Sequence, residues 1–333
     1  MITAPAGASA PLRWDGRRLH VLDQTRLPGE EVVLTLSGAR DTADAIRRLA
    51  VRGAPLIGIA AGYGLAMAGA SGDLEAAAAE LAGARPTARN LRWAVDRVAA
   101  AARAGGPAAA REEAEAIERE DAEASAALAR HGADALAEAL PAGPLTLLTH
   151  CNTGALAASG RGTALGVIAE LADRRPVRVL ACETRPLLQG ARLTVWELRR
   201  LGIEHALLVD SAAAGLMRRG EVHAVITGCD RVAANGDVAN KVGTYPLALA
   251  ASAAGIPFVV AGPSSSVDLS LPSGDEIEIE ERAAEEVLGA AGIAGTPVRN
   301  PAFDVTPASL LWALVTERGV ARPVTVASVA AVA

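Results

Sequence analysis

The chain has 333 residues, a formal net charge of −6, 51% hydrophobic residues and only 2% aromatic ones. Single cores stop growing at roughly 250–300 residues, so this length predicts two domains around a sizeable buried interior. An acidic balance without a clustered basic face excludes nucleic acid as the main partner, and so few aromatic rings exclude a stacking platform for bases or sugars.

The opening residues MITAPAGASA lack a charged start and a sustained apolar core, so no secretory signal is expected. Apolar stretches are broken by Arg, Asp or Glu too often to supply the roughly 20 lipid-facing residues of a membrane span. A soluble cytoplasmic protein with no membrane partner is expected. After a short strand region, LHVLDQTRLPGEEVVLTL, the N-terminal third reads as mostly helical. In SGARDTADAIRRLAVRGAPL, Asp41 is placed as a helix N-cap, and the helix is expected to stop near Gly53 and Pro55. The next segment, LIGIAAGYGLAMAGA, is too short to cross a bilayer but rich in Gly and Ala, which permits close backbone packing. Helices follow at DLEAAAAELAG, at TARNLRWAVDRVAAAARA and at AAAREEAEAIEREDAEASAALARHGADALAEAL. The last has mainly Ala at its apolar positions, which suits a solvated helix linking two domains better than a coiled coil.

From Pro144 the texture changes. The short apolar runs LTLLT, VRVLA, HALLV, AVITG and PFVVA alternate with the helical segments TALGVIAELAD, ARLTVWELRRLG and NKVGTYPLALAASAAG. Such alternation predicts βαβ crossovers and a parallel sheet with helices on both faces. The expected fold is therefore α/β: a Rossmann-like parallel-sheet domain over residues 141–333, preceded by a smaller, mostly helical N-terminal domain over 1–140 with short strands at its start.

Ligands of such sheets bind beyond the carboxyl ends of the strands. There the sequence places His150-Cys151-Asn152-Thr153-Gly154, then Cys182-Glu183-Thr184-Arg185, then Gly228-Cys229-Asp230-Arg231 followed by VAANGDVANK. A thiol, with an ordinary pKa of about 8.5, and a carboxyl, at about 3.9, can share proton transfer when burial moves both values. From the residues alone two readings of each stand. Cys151 fits a small hydrophobe ending a strand or a reactive thiol, and Asp230 fits a proton-transfer group or an ion-pair partner of Arg231 or Arg185. Cys182 and Cys229 read as inert core thiols. Asn235-Gly236 is a strong turn dipeptide.

Anion sites have their own signals. Asn240-Lys241 is placed at the start of the next helix, where free N–H groups, an amide and an ammonium complete a phosphate site. Arg52-Gly53-Ala54-Pro55 offers a second, with Gly for close backbone approach and Pro suited to a first helical position, and Arg85-Pro86-Thr87 repeats it before another helix. Each Arg alone fits an ordinary surface charge, but two at helix entries point to a phosphate. Three scattered cysteines with no CxxC pair, and five scattered histidines, predict neither disulfides nor a metal site. The strand, glycines, helix and strand ending at Glu183 outline a dinucleotide fingerprint. However, Gly160 and Gly162 lie about ten residues beyond the first strand and Gly166 is one place late, so no nicotinamide or other cofactor is expected.

Taken with LDQTRLPGE, RGAPLIGIAAGYG, RPTARNLRWAVDR, LTHCNTGALA, ETRPLLQGARLT, DRVAANGDVANKVGTYPLA, GPSSSVDLS and NPAFDVTPASLL, the chain resembles the methylthioribose-1-phosphate isomerases of methionine salvage. Those are related in fold to the alpha, beta and delta subunits of the initiation factor that exchanges guanine nucleotides on factor two. The resemblance covers nearly the whole chain. It implies a homodimeric aldose–ketose isomerase that converts 5-methylthio-alpha-D-ribose 1-phosphate to 5-methylthio-D-ribulose 1-phosphate. It also implies catalytic roles for Cys151 and Asp230, and substrate contacts at Arg52, Gly53, Ala54, Arg85, Gln189, Asn240 and Lys241. Gln189 enters through the resemblance alone.

The implied substrate carries phosphate on its C1 oxygen, so its ring cannot open as a free sugar's does. The expected mechanism has Asp230, kept protonated by an apolar pocket, as acid at the ring oxygen, with Cys151 taking part in moving hydrogen from C2 to C1. Two places depart from the family pattern: Cys229 stands where a small Ala is common, and DSAAAGLM from Asp210 to Met217 lacks the usual Asn and Met. The latter leaves 5-deoxyribose 1-phosphate and ribose 1,5-bisphosphate open as substrates. A non-catalytic regulatory subunit is the contrasting class, and the presence of both Cys151 and Asp230 disfavours it.

Overall fold

The computed structural model describes residues 10–69, 73–86, 88–289, 292, 293 and 295–333. Residues 1–9, on which the expectation of no secretory signal rests, and Thr87 of the second Arg-Pro-Thr motif lie outside the described residues. The described residues form two compact units, one up to Ala126 with Gly154–Gly162, the other of Ala127–Thr153 with the described residues from Thr163 on. The change-over falls inside a helix, ahead of the boundary expected at 140/141. No helix among the described residues is long and apolar enough to cross a membrane.

In the first unit β1 (Leu12–Trp14), β2 (Leu19–Leu22) and β3 (Val33–Leu36) form an antiparallel sheet in that order. Helix α1 (Ala39–Arg47) is capped by the Gly38 backbone, not by Asp41. Asp41 sits in the first turn and its carboxylate reaches back to accept the Ser37 N–H at 2.9 Å. The helix also ends earlier than expected, because Leu49 turns into the left-handed region (φ 62°) before Gly53 is reached. Helix α2 (Ala54–Ala68) is buried from Leu56 to Ala66, which only a sequence of small and apolar residues permits. Asp73 caps α3 (Leu74–Ala82) by accepting the N–H groups of Glu75 and Ala76.

The two long helical segments of the sequence run together as α4 (Arg89–Ala139), which breaks its helical path at Gly106 (φ 73°, ψ −162°) just before Pro107. Leu91, Ala94, Val95 and Val98 before the break and Ala110, Ala114 and Ile117 after it are buried in the core of this unit. Small residues set the helix spacing here: a Cβ at Gly58 of α2 would lie 2.7 Å from the Asn90 carbonyl oxygen, and one at Gly64 would lie 2.9 Å from Thr42.

The second unit runs β4 (Leu145–Thr149), α5 (Ala164–Ala172), β5 (Val177–Cys182), α6 (Val195–Arg200), β6 (Glu204–Leu208), α7 (Ala213–Arg218) and β7 (Ala224–Thr227). It continues with β8 (Arg231–Ala233), β9 (Val238–Lys241), α8 (Thr244–Ala254), β10 (Phe258–Ala261), β11 (Val267–Asp268), α9 (Ala284–Leu288), β12 (Phe303–Thr306), β13 (Ala313–Thr316), β14 (Gly319–Ala321) and α10 (Val326–Val332). The main sheet has the order β14-β13-β10-β7-β4-β5-β6, parallel except for β14. All five expected strands are in it.

Alternate residues serve the two faces of this sheet. Leu147, Val179, Ile226 and Val259 pack with α5, while Leu148, Leu180, Val225 and Val260 pack with α7 and α8. A second sheet, β11-β8-β9-β12, was not expected from the sequence. From β4 the chain steps to β5 and β6 on one side, then returns to β7 on the other side of β4. The topological switch point, where such sheets bind ligands, thus lies between β4 and β7.

Gly58→Ala tests the packing of α2. In a free helix the change would gain about 0.5–1 kcal/mol, but crowding a packed backbone costs about 1–3 kcal/mol. Urea denaturation should therefore show a net loss of up to about 2.5 kcal/mol, and a gain would overturn the account.

Candidate active site

Cys151 follows β4 and Asp230 follows β7, neighbouring strands at the switch point. The Thr149 hydroxyl ties the two strand ends together by donating to the Ile226 carbonyl at 2.8 Å. Cys151 is buried with φ 61°, a left-handed conformation that costs a residue other than glycine about 1–3 kcal/mol. Two threonines hold it there. Its N–H donates to Thr184 Oγ1 at 2.8 Å, and its carbonyl accepts from Thr194 Oγ1 at 2.6 Å. The Asn152 amide donates to Thr194 Oγ1 at 3.2 Å and to the buried Glu197 carboxylate at 3.1 Å, which fixes Thr194 in turn. A thiol serving only to fill space needs no strained and doubly clamped backbone.

Asp230 is half-buried, and its N–H donates to the Ala239 carbonyl at 2.9 Å. Of the arginines considered as its partners, Arg231 also lies 3.9 Å from Asp268, and Arg185 donates to the Val287 carbonyl. Between β7 and Asp230, Gly228 abuts Thr153, where a Cβ would come within 2.4 Å of its methyl group. That contact draws the two strand ends together.

Asn240 and Lys241 are not at a helix start. They end β9, and α8 begins at Thr244 after the left-handed Gly243 (φ 105°). The N-terminus of α8 is already served from within: the Asp304 carboxylate accepts the N–H groups of Gly243 at 2.7 Å and Tyr245 at 3.1 Å. Burial pushes the Asp304 carboxyl up to about 6, although those amides and Lys241 pull the other way. Asn240 is buried and donates to Thr244 Oγ1 at 2.9 Å, while the Lys241 ammonium lies 4.6 Å above the Phe303 ring. His150 connects this segment to the thiol's strand. Its Nε2 bonds the Val242 carbonyl at 2.9 Å, and its ring lies 3.0 Å from where a Gly243 Cβ would be. A carbonyl only accepts, so Nε2 carries the proton, and burial holds the ring below the ordinary histidine pKa.

Gln189 is buried, and among the described residues its Oε1 has no hydrogen-bond partner. An orphaned amide oxygen of this kind is one that a ligand's donor would satisfy. The next residue must be glycine, because a Cβ at Gly190 would fall 1.7 Å from the Cys182 carbonyl oxygen. In the first unit, Gly53 (φ 95°) caps α2 and Ala54 opens it, so Pro55 takes the second helical position rather than the first. Gly53 presses on Ala157, and the Leu56 N–H donates to the Ala157 carbonyl at 3.0 Å. Ala157 lies in the segment that follows Cys151 along the chain. Arg52 and Arg85 are both half-buried.

The other two thiols are Cys182 and Cys229. Burial, with the nearby charge of Asp210, pushes Cys182 up to about 12, and burial with Asp230 does the same to Cys229. Both are protonated and weakly reactive at neutral pH. His150, Cys182 and Asp210 bring ligand-type atoms within 4.8 Å of one another, a grouping that sequence spacing does not reveal. Their atoms already serve the protein: Asp210 accepts backbone amides, His150 serves Val242 and Cys182 keeps its proton. The sequence placed Thr184 at a strand end without a role and did not single out Thr194 or Asp304, because their roles depend on partners far along the chain.

Comparison with known proteins sets this geometry in a family. The profile of the initiation factor 2 subunit family matches residues 50–323. A methylthioribose-1-phosphate isomerase of Anaeromyxobacter sp. (strain K) is 53% identical over 323 residues, 94% of each chain. The crystal structure of 5-methylthioribose 1-phosphate isomerase from Pyrococcus horikoshii OT3 is similar with a TM-score of 0.87 at 39% identity, over 97% of this chain and 95% of that one. Translation initiation factor eIF-2B, subunit delta, from A. fulgidus gives 0.82 at 38% identity, over 97% and 99%.

Asp304 makes stability depend on pH. Its folded pKa lies above the ordinary 3.8, so its contribution is fully present below that value and is lost as pH rises through about 6. Between pH 5 and 7 the wild type should therefore lose about 1 kcal/mol relative to Asp304→Asn, after allowance for partial exposure. Parallel pH profiles in urea titrations would contradict this.

Proposed function

The chain belongs to the initiation factor 2 subunit family, and we propose that within it the protein is the isomerase that converts 5-methylthio-alpha-D-ribose 1-phosphate to 5-methylthio-D-ribulose 1-phosphate in L-methionine salvage. The observation that carries this reading is the pairing of a clamped Cys151 with Asp230 at the switch point. The chain is also 53% identical to a methylthioribose-1-phosphate isomerase along nearly its whole length. The same fold serves an initiation-factor subunit, and the Cys and Asp favour the enzyme over that regulatory role.

With phosphate on the C1 oxygen, the ring opens only if the bond between C1 and the ring oxygen breaks. Asp230 supplies the proton that the ring oxygen needs as it leaves. Hydrogen then passes from C2 to C1, a transfer in which Cys151 takes part, while the C2 hydroxyl becomes the ketone and its proton returns to the Asp230 carboxylate, restoring the acid. The change is an internal exchange of oxidation level between two carbons, so no cofactor is required.

Gln189, Asn240 and Lys241 are proposed as substrate contacts. Arg52, Gly53, Ala54 and Arg85 are proposed as contacts on the strength of their motifs. A cytoplasmic homodimer is proposed from the same family pattern. A second reading, an isomerase of 5-deoxyribose 1-phosphate or ribose 1,5-bisphosphate, draws on the altered Asp210 to Met217 segment, because Asp210 touches the loop that holds Cys151.

Product analysis with the three sugar phosphates side by side tests the assignment: methylthioribose 1-phosphate should turn over with the highest kcat/KM, and a clear preference for another would replace it. Cys151→Ser and Asp230→Asn should each lower kcat by about 10²–10⁴-fold with substrate affinity and folding retained. Near-normal kcat in either would sink its catalytic role. Lys241→Ala should raise KM by about tenfold or more through loss of a phosphate contact, and an unchanged KM would count against that contact.

A further inference from the structure

Two residues in the left-handed region face each other across the ends of β4 and β5. Cys151 (φ 61°) and Thr184 (φ 66°) are joined by the bond from the Cys151 N–H to Thr184 Oγ1. For a β-branched residue such as Thr this conformation is a steric outlier, so something outside the pair must enforce it. That enforcement comes from the end of β6, two strands from β4. Asp210 Oδ1 accepts the Thr184 N–H at 2.8 Å, and Oδ2 accepts the Arg185 N–H at 2.8 Å. One carboxylate binding two consecutive amides fixes the peptide between them. The Thr184 hydroxyl lies 3.1 Å from the Cys182 carbonyl, to which it donates, and so turns a lone pair to the Cys151 N–H.

We propose that Asp210 is a positioning residue for the isomerisation, holding Thr184 so that Thr184 holds Cys151 in its strained conformation. The proposal rests on the assignment of Cys151 as the reacting thiol. Asp210 does not touch substrate in this scheme. It acts through the loop that carries Thr184, and the departure from the family's pattern comes after it, not at it. Asn in its place would offer one acceptor to two amides and set its own NH₂ against the other.

The test compares Asp210→Asn, Thr184→Val, Thr184→Ser and the double variant Asp210→Asn/Thr184→Val. Its readouts are kcat and KM on methylthioribose 1-phosphate, the melting temperature, and the rate at which iodoacetamide alkylates Cys151, followed by peptide mapping. Misplacing a reacting group by about 1 Å can cost about 10²-fold, so Asp210→Asn and Thr184→Val should each lower kcat by about 10–100-fold, with KM within about threefold. Each should also change the Cys151 alkylation rate at least severalfold. Thr184→Ser, which keeps the hydroxyl, should recover most of the loss seen in Thr184→Val. The double variant should be no worse than the weaker single one, because both act along one path.

Retention of kcat within twofold in a folded Asp210→Asn protein, or losses that multiply in the double variant, would overturn the proposal. If Asp210→Asn fails to fold, the Thr184 pair decides: equal losses in the Val and Ser variants overturn it. If the wild type does not isomerise this substrate, the functional reading fails by itself. Alkylation then still decides the positioning, since an unchanged Cys151 rate in Asp210→Asn overturns it and a changed rate supports it.

Discussion

A parallel sheet covered by helices on both faces has nowhere to place polar chemistry except at its strand ends, and that constraint organises the catalytic half of this chain. Leu147 and Leu148 on β4, like Ile226 and Val225 on β7, are committed to opposite apolar cores. The first residues free of that commitment on those strands lead to Cys151 and Asp230. Because the chain leaves β4 in one direction and returns to β7 on the other side, the strand order reverses between them, the place where ligands of such sheets bind.

What distinguishes Cys151 from the other two thiols is the conformation imposed on it. Cys182 ends β5 in regular strand geometry and stays protonated through burial. Cys151 instead occupies a strained backbone region held at its N–H by Thr184 and at its carbonyl by Thr194. Each bond is modest, on the order of 1 kcal/mol, while the strain is of similar or larger size. Only several bonds acting together hold such a residue, which is why the β5 to α6 connection carries Thr184 and Thr194, with Asn152 and Glu197 behind them.

Electrostatics around the site follow the same economy of buried partners. Asp304 offers its two oxygens to the start of α8, a position where a helix favours negative charge, yet burial still raises its pKa. The Asn240-Lys241 pair is thereby moved off the helix terminus and onto a strand end, with His150 joining its loop to the thiol's strand. Neutral His150 adds no second positive charge beside Lys241, because its own burial disfavours protonation.

Local patterns in the sequence determined a great deal. Five apolar runs of strand length specified the parallel sheet, small residues in the segment after Gly53 specified a fully buried helix, and Asn235-Gly236 specified the turn between β8 and β9. The concentration of Cys151, Asp230 and Asn240-Lys241 after strands was legible as well, because burial periodicity shows where a strand must end. Tertiary structure alone decided the rest. The Cys151 clamp depends on hydroxyls 33 and 43 positions away, and the helix start that seemed open to an anion is closed by a carboxylate 61 positions later. Helix α1 stopped at Leu49, a residue with no local signal for a left-handed turn. Periodicity records which face of an element is buried, whereas hydrogen-bond partners are chosen among groups that only the folded chain brings together.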